Sequence, residues 1–165
     1  MALDTAFATN RAVPSGAMQE RHDIATRADI ELLVDRFYET AMVDPLIGFL
    51  FTDVAHLDLE KHRPTITAFW ETLLLGAGTY GGGAFAVHAR LHEKVPLQAG
   101  HFTRWVVLWE NTVNELFAGE VADAAINHGR RIATAFFRRL QDPTYGFAAD
   151  ELPVLPITQV PGAAL

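Results

Sequence analysis

Apolar residues recur along most of this chain at the spacing of a helix face. Ile30, Leu33, Val34, Phe37, Tyr38 and Ala41 share one side of a helix that other elements must cover. Asp44-Pro45 stops that helix, because a proline disfavours helical geometry in the residue before it. Leu46 to Phe51 then read as a short apolar turn. Asp58 offers an N-cap to a second long helix, with Leu59, His62, Ile66, Phe69, Trp70 and Leu73 along one face. Pro64 sits inside it, positioned to tighten or bend the first turns, and Gly76 and Gly78 end it. After Tyr80 and the run Gly81-Gly82-Gly83, only a short helix fits, from Ala84 to about His92, closed by Pro96. A longer helix follows from about Gln98 to Phe117, with Phe102, Trp105, Val106, Trp109, Val113 and Leu116 inward. Gly119 separates it from a last helix carrying Val121, Ala125, His128, Ile132, Ala135, Phe136 and Leu140. No stretch alternates with period two, so the pattern is all-α.

The two ends lack this pattern. Residues 1–27 mix small, polar and charged side chains without a sustained period and read as an N-terminal extension. Residues 142–165 contain Pro143, Pro153, Pro156 and Pro161, which together exclude a long helix. Val154, Leu155, Ile157 and Val160 nevertheless make this tail apolar enough to pack on a surface. The helical domain is therefore expected over residues 28–141.

Composition narrows the function classes. A formal net charge of −7 argues against a nucleic-acid or anionic-membrane role, either of which favours a basic face. Cysteine is absent, which removes disulfides, thiolate nucleophiles, iron–sulfur ligation and covalent haem attachment at once. Asp4 lies where a secretory signal needs a basic stretch leading into an apolar run, and Glu71 and Glu110 interrupt the most apolar segments. The expectation is a soluble, cytoplasmic protein, monomeric or weakly dimeric.

The seven histidines are the main candidates for chemistry. His88 lies on the short helix after the glycine loop, with Phe85, Val87 and Leu91 around it. Such a site suits an axial nitrogen over a large apolar ring. It equally suits a half-buried histidine bonded to a carbonyl, and His88 with His92 has the i, i+4 spacing of a surface metal pair. His62 sits on the apolar face of the second helix, Tyr38 on the first and Trp105 on the fourth. Each carries a polar group that needs a partner if buried. Ordinary core filling explains any one of them; a common small ligand explains all three with His88.

The ordered set Phe37-Tyr38, His62 with Phe69-Trp70, Leu74-Leu75-Gly76, Tyr80-x-Gly82, His88, His101-Phe102-x-x-Trp105 and Phe117-x-Gly119 resembles the group III truncated haemoglobins over roughly residues 28–141. The resemblance implies a two-over-two helical sandwich around a non-covalent haem b. It makes His88 the proximal iron ligand and puts Tyr38, His62 and Trp105 at the polar distal positions. Tyr and Trp there do most of the ligand bonding, and the distal His acts as a gate. Phe51, Ile66, Phe69, Leu91 and Phe102 correspond to apolar haem walls, and Tyr80 to a residue beside a haem propionate. The chain departs from the family in carrying Ala84 where a proline is common, in its softer triple-glycine loop and in both extensions.

The expected function is binding of O2, NO, CO or a similar small ligand, with Tyr38 and Trp105 slowing its release. The alternative is an enzyme that carries out NO dioxygenation or peroxide chemistry with an external reductase. Peroxide chemistry wants a carboxylate behind the proximal histidine, and only Glu93 stands near enough in sequence to be considered.

Overall fold

The computed structural model describes residues 21–142, so the apolar C-terminal tail and residues 1–20 lie outside the described residues. Five α-helices and one π-helical turn make up the domain: α1 Arg27–Ala41, the π turn Leu50–Val54, α2 Leu59–Leu75, α3 Ala84–Lys94, α4 Ala99–Leu116 and α5 Glu120–Gln141. No strand occurs among the described residues, and none of their helices is long and apolar enough to cross a membrane.

Local chemistry starts and stops these helices. Thr26 accepts the Asp29 N–H while Asp29 reaches back to the Thr26 N–H, a reciprocal cap for α1. Asp58 caps α2 through the Lys61 N–H, and Gly76 closes it with a left-handed φ of 70°, which glycine adopts without a Cβ clash. Pro64 is carried within α2 on an exposed turn.

α1 packs on α2 and α4 on α5; α1 also meets α4, and α2 meets α5. These contacts stack two helix pairs, the two-over-two arrangement that the sequence leads one to expect. The core lies between the pairs. Phe37, Ile30, Leu33 and Val34 from α1 meet Phe69 and Trp70 from α2 and Trp109 and Val113 from α4. Gly129 of α5 lets the two helices of the second pair approach closely, because a Cβ there would stand 2.6 Å from Cδ1 of Trp109. Ala125 faces the same tryptophan and accepts its indole N–H at 3.0 Å.

Residues 21–26 also belong to this packing, ahead of the boundary expected at residue 28. Ile24 is buried, and Asp23 accepts the N–H groups of Val121 and Ala122 at the start of α5. Gly119, the residue before α5, has no side chain to serve as a cap, so the carboxylate comes from the other end of the domain. Burial acts upward on the Asp23 carboxyl, but these backbone donors hold it below its ordinary value.

One expectation is corrected. His62 is exposed, not covered on the apolar face of α2. Residues 60–65 are all exposed and continuous cover begins at Ile66, although Arg63 in this stretch pairs with Asp35 of α1 at 3.0 Å. Thr67, which the apolar pattern passes over, is fully buried instead.

Candidate functional site

α3 buries no residue completely and lies over α5 and the π turn, with Ala84 and Leu91 packed against the core. Gly82 and Gly83 set its approach with φ of 93° and 98°, a region other residues enter only with strain. Its C-terminal end is held by Lys94, which donates to the Val54 carbonyl of the π turn at 3.4 Å.

His88 stands half-buried in the middle of α3, its ring 4.9 Å from that of Phe136 on α5. Phe136 in turn meets Phe85 edge-on at 5.4 Å, and the Arg139 guanidinium covers Phe85 at 3.9 Å. Nδ1 of His88 lies 2.8 Å from the Ala84 carbonyl. A carbonyl only accepts, so Nδ1 carries the proton and Nε2 keeps its lone pair. Burial also lowers the imidazole's proton affinity, with the Ala84 bond opposing, so the ring stays neutral.

His92, the rival ligand, has the opposite polarity. Its Nδ1 accepts the Leu97 N–H at 3.0 Å, which leaves the proton of a neutral ring on Nε2. Among the described residues no group of three or more His, Asp or Glu side chains is arranged to hold a metal ion.

Tyr38 and Trp105 face the same aromatic cluster from α1 and α4. Phe37 touches both, at 5.2 Å and 5.3 Å between ring centroids, and Tyr38 meets Phe51 at 5.7 Å. Neither the Tyr38 hydroxyl nor the Trp105 indole N–H has a hydrogen-bond partner among the described residues, whereas the Trp109 N–H is bound to Ala125. Burial pushes the Tyr38 phenol up to about 12, so it remains a protonated donor at neutral pH.

The remaining wall residues do not form one cluster. Phe69 meets Tyr80 at 5.1 Å and Trp70 at 5.3 Å, which links both to the central aromatic cluster. Phe102 packs beside Phe137 at 5.7 Å, while Ile66 and Leu91 lie half-buried against the core. Burial raises the Tyr80 phenol, opposed by a backbone hydrogen bond at Ala84. His62 stays outside this group, with its Nδ1 donating to the Asp58 carbonyl at 2.8 Å. Sequence reasoning missed Phe37 as a contact of both donors and Phe136 as the ring beside His88. Their helical spacing marked both as inward but not what they would touch.

The donor set fits a haem: one nitrogen lone pair on a covering helix, two unused hydrogen-bond donors and half-buried aromatic walls. The fold is that of a truncated globin. The crystal structure of a group III truncated hemoglobin from Campylobacter jejuni superposes with a TM-score of 0.65 at 25% identity, covering 78% of this chain and 99% of that one. The group 3 truncated hemoglobin ctb of the same organism is 25% identical over 119 residues, 70% of this chain and 91% of that protein. No family model matches the chain. Fold and sequence together relate this chain to the group III truncated haemoglobins.

Proposed function

We propose that this protein binds haem b through Nε2 of His88 and holds a diatomic ligand, O2 above all, beside Tyr38 and Trp105. The observation that carries the reading is the Ala84 carbonyl at 2.8 Å from His88 Nδ1, which leaves Nε2 the free nitrogen. When bound, the haem supplies an iron with an open position for O2, NO or CO. Tyr38 and Trp105 then offer two neutral donors to a partly negative ligand atom. Each such bond is worth about 1.5–3 kcal/mol when charge-assisted, enough to slow release by one to two decades. Phe51, Ile66, Phe69, Leu91 and Phe102 would exclude water around the ring, and Tyr80 would lie near a propionate. His62, exposed at the start of α2, is placed to act on ligand entry.

Retention is favoured over peroxide turnover by the same contact. A carbonyl behind His88 gives the imidazole no anionic character, and Glu93 is exposed. NO dioxygenation by the ligand-loaded protein with an external reductant is the second reading, since it uses the same retained O2. Optical spectra of the purified protein in both oxidation states test the proposal, together with acid–organic extraction. The expected result is a haem spectrum whose colour leaves the denatured chain. A protein that takes up no haem, or keeps it covalently, overturns the reading.

A further inference from the structure

All three tryptophans of the chain stand in one stack. Trp70 of α2 lies 4.1 Å from Trp109 of α4 with an interplanar angle of 18°, and Trp109 lies 5.6 Å from Trp105 at 10°. Filling a core needs apolar volume, and the neighbouring phenylalanines supply it edge-on: Phe37 against Trp105 and Trp109, Phe69 against Trp70. Near-parallel indoles in contact do something more. Indole is among the side chains most easily oxidised by one electron, and overlapping rings pass an electron readily.

The three N–H groups differ in a way that matters for that chemistry. Trp109 donates to the Ala125 carbonyl, which is too weak a base to take the proton. The indole N–H groups of Trp105 and Trp70 have no hydrogen-bond partner among the described residues. The middle indole thus keeps its proton, and the two ends can lose theirs.

We propose that Trp105, Trp109 and Trp70 form a one-electron relay that carries an oxidising equivalent away from the ligand site to Trp70. The proposal rests on the haem reading above. Hydrogen peroxide, met as a damaging agent and not turned over as a substrate, is the oxidant: it takes two electrons, with two protons from the solvent, and ends as two molecules of water. Trp105 supplies one of these electrons, and a bound haem would supply the other. Trp109 refills Trp105 and Trp70 refills Trp109, each by electron transfer alone, with no bond made or broken. Trp70 then releases its N–H proton to water and stands as a neutral radical. A small phenolic or ascorbate-type reductant returns one electron to Trp70 and a second to the haem, water returns the proton, and both are restored. The relay protects Tyr38 and Trp105, the two donors on which ligand retention depends.

The test is peptide mapping of oxygenated tryptophan after a brief peroxide pulse in air, with no added reductant. Haem loading is verified by the optical spectrum, and helix content by circular dichroism. Wild type should carry the product on Trp70, and the haem-free protein should not. Trp109→Phe should lose the Trp70 product and gain it on Trp105; Trp70→Phe, a second interruption, should build it up on Trp109 and Trp105. A protein that takes up no haem overturns the haem reading and the relay together. A loaded wild type that leaves Trp70 untouched overturns the relay alone. So does a folded, loaded Trp109→Phe that oxygenates Trp70 as wild type does.

Discussion

His92 accepts the backbone N–H of Leu97 at 3.0 Å, while His88, one turn earlier, donates to the Ala84 carbonyl at 2.8 Å. Two histidines on one short helix therefore hold their ring protons on opposite nitrogens. The contrast separates their roles by chemistry alone, because only a nitrogen lone pair can bind iron.

His88→Gly should lose haem, or accept added imidazole in its place, as followed by optical titration. His92→Ala should keep the haem spectrum. It should instead cost stability, about 1–3 kcal/mol in urea unfolding, because the Leu97 N–H loses its acceptor. An exchange of the two phenotypes would refute the assignment.

Tyr38→Phe removes only the hydroxyl, and Trp105→Phe removes the indole N–H. Each should speed O2 release by roughly tenfold or more if the lost bond exceeds about 1.4 kcal/mol. Carbon monoxide, a poorer acceptor, should be released at nearly the wild-type rate. Unchanged O2 release in both variants would remove the basis for ligand retention. His62→Leu should change ligand association and release in the same direction, because a gate sets a barrier crossed both ways.

Asp23→Ala should destabilise the domain by about 0.5–2 kcal/mol, the range for losing a helix N-cap. The loss should appear in chemical unfolding and as faster amide exchange at Val121 and Ala122, whose N–H groups the carboxylate accepts. Unaltered exchange there would mean that residues 21–26 are not integral to the fold.

Asp44 is buried and accepts Nε and Nη2 of Arg104 at 2.9 Å and 2.7 Å, as well as the N–H groups of Leu46 and Ile47. The guanidinium holds its carboxyl below the ordinary value of 3.8. A depressed carboxyl stabilises the fold fully above the unfolded value and loses that contribution as pH falls through the folded one. Asp44→Asn should therefore be less stable near neutrality, by about 1–3 kcal/mol. The gap to wild type should shrink as pH drops below roughly 4, where the wild-type carboxyl also becomes neutral. A gap independent of pH would show that the ion pair contributes nothing.

The helices and their ends were legible in the sequence because their causes are local. Asp58, Gly76 and Gly119 act on the next few residues, and the spacing of Ile30, Leu33, Val34 and Phe37 states which face must be covered. The sequence also placed His88 on a short helix after a glycine loop. Only the tertiary structure decided what covers what. Periodicity names a face but not how far along it a neighbour extends, so His62 shares the face of Phe69 yet stands in solvent. The cap of α5 by Asp23, the Asp44–Arg104 pair and the Trp70–Trp109 stack join residues far apart in the chain, which no local pattern encodes. The proton on His88 Nδ1 is instead set locally, since the Ala84 carbonyl lies four residues back on the same helix, as the Asp58 carbonyl does from His62. What the fold adds there is the Phe136 ring, brought from α5 to 4.9 Å from the imidazole.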